Sequence, residues 1–166
     1  TLFNQEIPGF SDIPSRAFTT SISDIAQRSN GEIWIANNNY GVIVKPLGKP
    51  AYQITHEKHP SIIQDNFVNT LFESRDKVMW IGQRNGLSIV TPNNQGHRIT
   101  MKEGKKNLTS CDIRNISQDK QGNIWLATDN EGIIRISGNA RNKKTLKFKQ
   151  YNPDHHNFAI DDATAC

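Results

Sequence analysis

Apolar and polar positions alternate along this chain over short runs, and the runs recur. SISDIAQ at 21–27, FVNTLFE at 67–73 and DIRNISQ at 112–118 each carry an aliphatic pair at the same two places. A polar turn follows each (SNG, RDK or KQG), and then a second run built round a tryptophan: EIWIA, VMWIG, NIWLAT. A third run opens on Gly41, Gly86 or Gly132 as GVIVK, GLSIV or GIIRI. The fourth is shorter and more polar, as an edge strand should be: YQIT, HRIT, KFKQY. Period-two alternation rich in β-branched and aromatic residues predicts strands. Asn, Gly and Pro punctuate every unit, so no helix is expected. Gly31 and Gly122 suit the positive φ of hairpin turns, and Lys77 at the matching place is the less comfortable residue.

The runs form an internal repeat. Trp34, Trp80 and Trp125 stand about 45 residues apart. Ile22 and Ile25 align with Val68 and Leu71, and then with Ile113 and Ile116. About 45 residues per four-stranded antiparallel unit describes a β-propeller blade. The fold expected is therefore all-β, with about three blades. The division expected is an outer strand of a preceding blade and a connection over 1–20, then blades over 21–55, 66–101 and 112–151. Residues 152–166 read as the connection to a following blade. Trp34, Trp80 and Trp125, with Gly41, Gly86 and Gly132, belong to the repeat itself, the tryptophans filling the space between blades. Propellers usually close with four to eight blades. Three blades thus predict a fragment of a larger ring, with an apolar face bare at each end.

Composition narrows the class. Of the 166 residues, 22% are charged and 8% aromatic, which fits a globular chain and not a highly charged disordered one. No apolar run reaches the roughly 20 residues of a membrane helix. The opening TLFNQEIPGF lacks a basic region followed by an apolar one, so no signal peptide is read there. The net charge of +4 is modest. Lys102, Lys105 and Lys106, and the group Arg141, Lys143, Lys144, Lys147 and Lys149, can attract phosphate, sulfate or carboxylate groups but read more simply as solvated loop charges, and no nucleic-acid partner is expected. Cys111 and Cys166 do not make a disulfide framework.

No phosphate-binding glycine loop, paired-cysteine metal motif or nucleophile elbow is present, so no catalytic residue, cofactor or metal is expected. His155 and His156 are adjacent on an extended segment and point apart, and His56 and His59 lack a further ligand. Asn107-Leu108-Thr109 and Asn115-Ile116-Ser117 match a glycosylation pattern that is frequent by chance. Planar polar side chains beside an aromatic ring can contact a polar ligand. On the loop face of a propeller the candidates are Asn37, Asn38, Asn39 and Tyr40, then Arg84 and Asn85, then Asp129, Asn130 and Glu131. Lys58, Asp65, Asn66, Lys105 and Lys106 on the connections could join them. Asn and Asp also favour tight turns for backbone reasons alone.

The order of an aliphatic pair, D-x-x-G-x-I-W-[IL]-[AG]-T and G-[IL]-x-x-[IV] resembles the two-component regulator propeller repeat. The fullest copy runs over 113–136 and contains DKQGNIWLATDNEGIIRI. In the other copies Arg28 and Ser74 replace the aspartate, and Asn37 and Gln83 the threonine. The resemblance implies part of a seven-bladed, periplasmic or extracytoplasmic sensor propeller from a bacterial hybrid histidine kinase, binding oligosaccharides from complex glycans. It implies partners too: the remaining blades of the parent chain, and a possible homodimer. No catalytic domain of such a parent lies in this chain. Two other readings are a protein-interaction scaffold and, with less support, a propeller lyase or hydrolase.

Overall fold

A computed structural model describes residues 9–99, 111–129 and 131–151. The outer strand expected at the start, the connection after Tyr151, and Lys105, Lys106 and Asn130 lie outside the described residues, wholly or in their larger part. The rest forms three four-stranded antiparallel sheets whose strand order follows the sequence. The first contains β1 (Ile22–Gln27), β2 (Ile33–Asn37), β3 (Gly41–Lys45) and β4 (Tyr52–Ile54). The second contains β5 (Val68–Glu73), β6 (Met79–Gln83), β7 (Gly86–Val90) and β8 (Gly96–Ile99). The third contains β9 (Ile113–Gln118), β10 (Ile124–Thr128), β11 (Ile133–Ser137) and β12 (Lys147–Tyr151). The protein is all-β, and its sheets are propeller blades.

The first two strands of every sheet join through the same hairpin. Arg28 N donates to Glu32 O, Ser74 N to Val78 O and Asp119 N to Asn123 O. Each hairpin needs one residue at positive φ, filled by Gly31 (88°), Lys77 (67°) and Gly122 (92°). Lys77 thus holds a left-handed backbone that glycine holds without strain. The expectation of no helix needs correction: besides a 3-10 turn at Lys143–Thr145, the connection into the first sheet makes a helical turn, α1 (Arg16–Thr19). Its cause is tertiary. Ala17 N bonds Pro14 O, and Ala17 packs fully buried with Ile13, Ile43 and Ala51.

Neighbouring sheets stack by laying the first strand of one over the first two strands of its predecessor. β5 packs on β1 and β2, and β9 packs on β5 and β6. Trp34, Val42 and Val44 meet Val68, Leu71 and Met79 in one core. Trp80, Leu87 and Ile89 meet Ile113, Ile116 and Leu126 in the next. Gly82 permits the second approach, since a Cβ there would lie 2.8 Å from Ile113 Cγ2 and 2.6 Å from Thr70 Cγ2.

The two outer faces differ from the inner ones. Ile25 is 62% exposed, whereas its counterparts Leu71 and Ile116 are 6% and 5% exposed. At the other end Trp125 is half-buried, although Trp34 and Trp80 are enclosed. That end is less apolar than the repeat suggested. Arg135 stands where Val44 and Ile89 stand in the earlier sheets, with its guanidinium 5.8 Å from the Trp125 ring. Lys149 pairs across from Arg135 and lies over Tyr151, which stacks on Trp125.

Candidate functional site

The turns between second and third strands, together with the connections between sheets, make the loop face. Its backbone is stitched in the same way three times. Asn38 N donates to Ser21 O, Arg84 N to Phe67 O and Asp129 N to Asp112 O. Gly41 N and Gly86 N then reach forward to Asn66 O and Cys111 O, on the approach to the next sheet. A Cβ on Gly41 would lie 2.2 Å from Ile54 O, so only glycine lets these strands close.

The residue ending each second strand differs in identity, and each commits its side chain to bonds within the protein. Asn37 Oδ1 accepts from Asn39 N and Tyr40 N, while its Nδ2 donates to Ala17 O and Thr20 Oγ1. Gln83 Oε1 accepts from Gln64 N, and its Nε2 donates to Ser88 Oγ. Thr128 Oγ1 donates to Gly132 O and accepts from Glu131 N. Asn37 and Gln83 are fully buried. Asn37 is accordingly corrected from ligand candidate to turn anchor, because its side chain is enclosed and its polar atoms are committed.

The remaining candidates form separate groups. Asn39 is exposed and Tyr40 half-buried, with the Arg16 guanidinium 5.6 Å from the Tyr40 ring. Asn38 Oδ1 is buried without a hydrogen-bond partner among the described residues. Arg84 and Asn85 are exposed. Arg84 lies over Phe67 at 5.2 Å, and Asn85 Nδ2 donates to Asp65 Oδ2. Asn66 Nδ2 donates to Glu57, a bond that holds the Glu57 carboxyl below its ordinary value; Lys58 beside it is exposed.

At the third turn, Arg114 bonds Asp129 and Asp112, each at 3.0 Å. The Asp129 bond, foremost, raises the guanidinium's pKa further. Asp112 also accepts from Asn69 Nδ2 at 2.8 Å, which ties the second sheet to the third. Glu131 Oε2 accepts from Gln150 Nε2. Sequence reasoning missed Arg16, Asn69, Asp112 and Arg114. Their only signal is position, just before or within a first strand, where side chains meet the loop face. Among the described residues no three His, Cys, Asp or Glu gather as a metal site.

At the opposite end of the sheets each tryptophan indole donates to an oxygen from its own hairpin. Trp125 uses Asp119 Oδ2 at 2.8 Å and Trp80 uses Ser74 Oγ at 3.0 Å. Arg28 holds that place in the first sheet and cannot accept, so Trp34 turns to Glu32 Oε2 at 3.2 Å. Burial pushes the Asp119 carboxyl upward, but bonds from Trp125 and Asn123 outweigh it and hold the pKa low.

Residues 107–130 match the family described as the two-component regulator propeller. The chain is 31% identical over 91 residues to Histidine kinase P4 of Formosa agariphila, a match that takes in 52% of this chain and 7% of that protein. Among solved structures, the extracellular domain of a hybrid two-component system from B. thetaiotaomicron superposes with a TM-score of 0.56 at 20% identity, over 74% of this chain and 16% of that one. A second such domain from the same organism gives 0.55 at 17% identity, over 77% and 18%. Virginiamycin B lyase from Staphylococcus aureus gives 0.58 at 18% identity, over 80% and 42%. At these identities the structures share the fold, and a fold that serves both sensor and lyase does not by itself choose between them.

Proposed function

We propose that this chain, whose residues 107–130 match the two-component regulator propeller, is a noncatalytic, ligand-sensing segment of an extracytoplasmic sensor propeller, responding to oligosaccharides from complex glycans. The observation that carries the reading is the group at the first turn. There a half-buried tyrosine ring and the exposed Asn39 amide stand at adjacent positions. Such a group offers a face for a sugar ring and planar partners for its hydroxyls. The extracytoplasmic placement draws on the extracellular neighbours. Among the described residues no helix is long and apolar enough to cross a membrane.

Binding signals only when the ligand prefers one of two arrangements. The loop face supplies an element for that, since Asn69–Asp112 spans two sheets while Asp112 and Arg114 reach into the third turn. The remaining blades of a parent chain, or a second copy, would receive the change. The test is an oligosaccharide array probed with this chain and with the longer sensor region encoded around it. Tyr40→Ala should weaken binding at least tenfold with an unchanged circular dichroism spectrum. An array on which neither protein binds any glycan would overturn the proposal.

A further inference from the structure

A groove of about 550 Å³ lies between the second and third sheets, at the hairpin end and away from the loop face. The first interface shows why it is there. In that interface Arg28 fills the corresponding space and is 3% exposed. Its guanidinium donates to Glu73 Oε1, Glu32 Oε2 and Lys77 O. In the second interface Ser74 stands at the place of Arg28, Gln118 at that of Glu73 and Val78 at that of Glu32. A long side chain is gone, and so are the two carboxylates that received it.

What lines the groove instead is cationic and amidic. Arg75 donates to Gln118 Oε1, Lys120 O and Asp119 O, and Arg141 donates to Asp76 O. A guanidinium has five N–H donors. These bonds fix both groups while leaving donors free on each, and among the described residues neither is ion-paired with a carboxylate. The acid in the lining, Asp76, accepts the Ser74 hydroxyl. Gln121 and Asn139 add amides, and Leu146 supplies an apolar wall.

We infer that the groove binds a small solute bearing an oxyanion, a carboxylate or sulfate, held by Arg75 and Arg141 with its body against the Leu146 wall. The volume falls within the usual range for small-molecule sites, roughly 300–1,000 Å³. Arginine presents the paired donors that planar oxyanions accept. The site goes beyond the loop-face reading and does not depend on it.

The experiment is a titration followed by side-chain N–H resonances, with sodium glucuronate, acetate, sulfate and glucose at constant ionic strength. Glucuronate should give saturable shifts at the arginine Nε–H and the Gln118, Gln121 and Asn139 amides. Glucose should give none. Arg141→Gln, at an exposed position, should weaken binding at least tenfold. Tyr40→Ala should leave binding unchanged. Equal binding of acetate, sulfate and glucuronate supports the site as one for the free oxyanion, and tighter glucuronate binding as one for an acidic sugar. Glucose binding as tightly as glucuronate, no saturation below about 10 mM, or binding unaffected by Arg141→Gln would overturn the inference.

Discussion

Replacing Glu73 by glutamine tests how the first two sheets are held together. Arg28 Nε lies 3.1 Å from Glu73 Oε1, and the side chains are 2% and 12% exposed. At that separation and an effective dielectric of about 20, the attraction is about 5 kcal/mol before desolvation. Desolvation of two nearly enclosed ions removes much of it, so the pair as a whole adds little over an apolar substitute. Removing one partner is a different perturbation. It strands a buried cation, at about 3–5 kcal/mol where nothing else compensates. Here Glu32, at 3.3 Å, and Lys77 O remain and compensate in part, so the expected loss for Glu73→Gln is about 2 kcal/mol, below that range. For a chain of this size that lowers Tm by about 4–8 °C.

The assay is urea denaturation followed by tryptophan fluorescence, with Arg28→Met and the double variant completing a cycle. The double variant should recover most of the loss, giving a coupling of about 1.5 kcal/mol. The acid limb gives a second check. Burial raises the Glu73 carboxyl pKa, and the Ser29 amide and Arg28 lower it by more, so the folded value lies below the unfolded one. The contribution is therefore fully present above about pH 4.5 and is lost as pH falls through the folded pKa. The gap between wild type and Glu73→Gln should be constant from about pH 6 to 8 and close on acidification. A loss under about 0.5 kcal/mol, the size expected of an exposed pair, or additivity across the cycle, would refute this account of the clamp.

Three further outcomes follow from the geometry. Lys77→Gly should raise stability by about 0.5–1 kcal/mol in the same denaturation assay, since relief of the left-handed lysine exceeds the added chain entropy; a loss would mean the Lys77 side chain contributes more than its backbone costs. Gly41→Ala should lower stability by about 3 kcal/mol or more, because its Cβ would meet Ile54 O; a differential scanning calorimetry Tm within 2 °C of wild type, about 1 kcal/mol or less, would contradict it. Trp125→Phe should remove most of the acrylamide-quenchable fluorescence, because Trp34 and Trp80 are enclosed; unchanged quenching would place the accessible indole elsewhere.

The strands were legible because alternation, hairpin glycines and tryptophans all repeat in phase. Side-chain roles between copies were less legible. Arg28 and Glu73 are 45 residues apart, and only the stacking of consecutive repeats brings them into contact. Asn37 resembles its neighbours Asn38 and Asn39 in sequence, and its burial depends on α1, which alternation could not foresee. The polar character of the third sheet's outer face was in the sequence as Arg135 and Lys149. It becomes informative only once β11 and β12 are paired and both cations are seen to share a face with Trp125 and Tyr151.

The departures from the repeat pattern carry the most information about what each interface does. All three hairpins must satisfy an indole N–H, and each does so with a different residue. Where the aspartate is kept, as Asp119, one side chain serves Trp125 and the turn amide of Asn123 together. Where it becomes Arg28, the acceptor moves to Glu32, and the arginine is free to fill the interface and bind Glu73. Where it becomes Ser74, the indole is still satisfied, but that short side chain does not reach across, and the interface opens into a groove bridged only by Arg75 and Arg141 among its lining residues. The shared task is the demand of the fold, which tolerates any hairpin with an acceptor in reach. The unshared consequence, a clamp in one interface and a cavity in the next, is under no such demand. Ligand chemistry specific to this chain is therefore best sought where the repeats disagree.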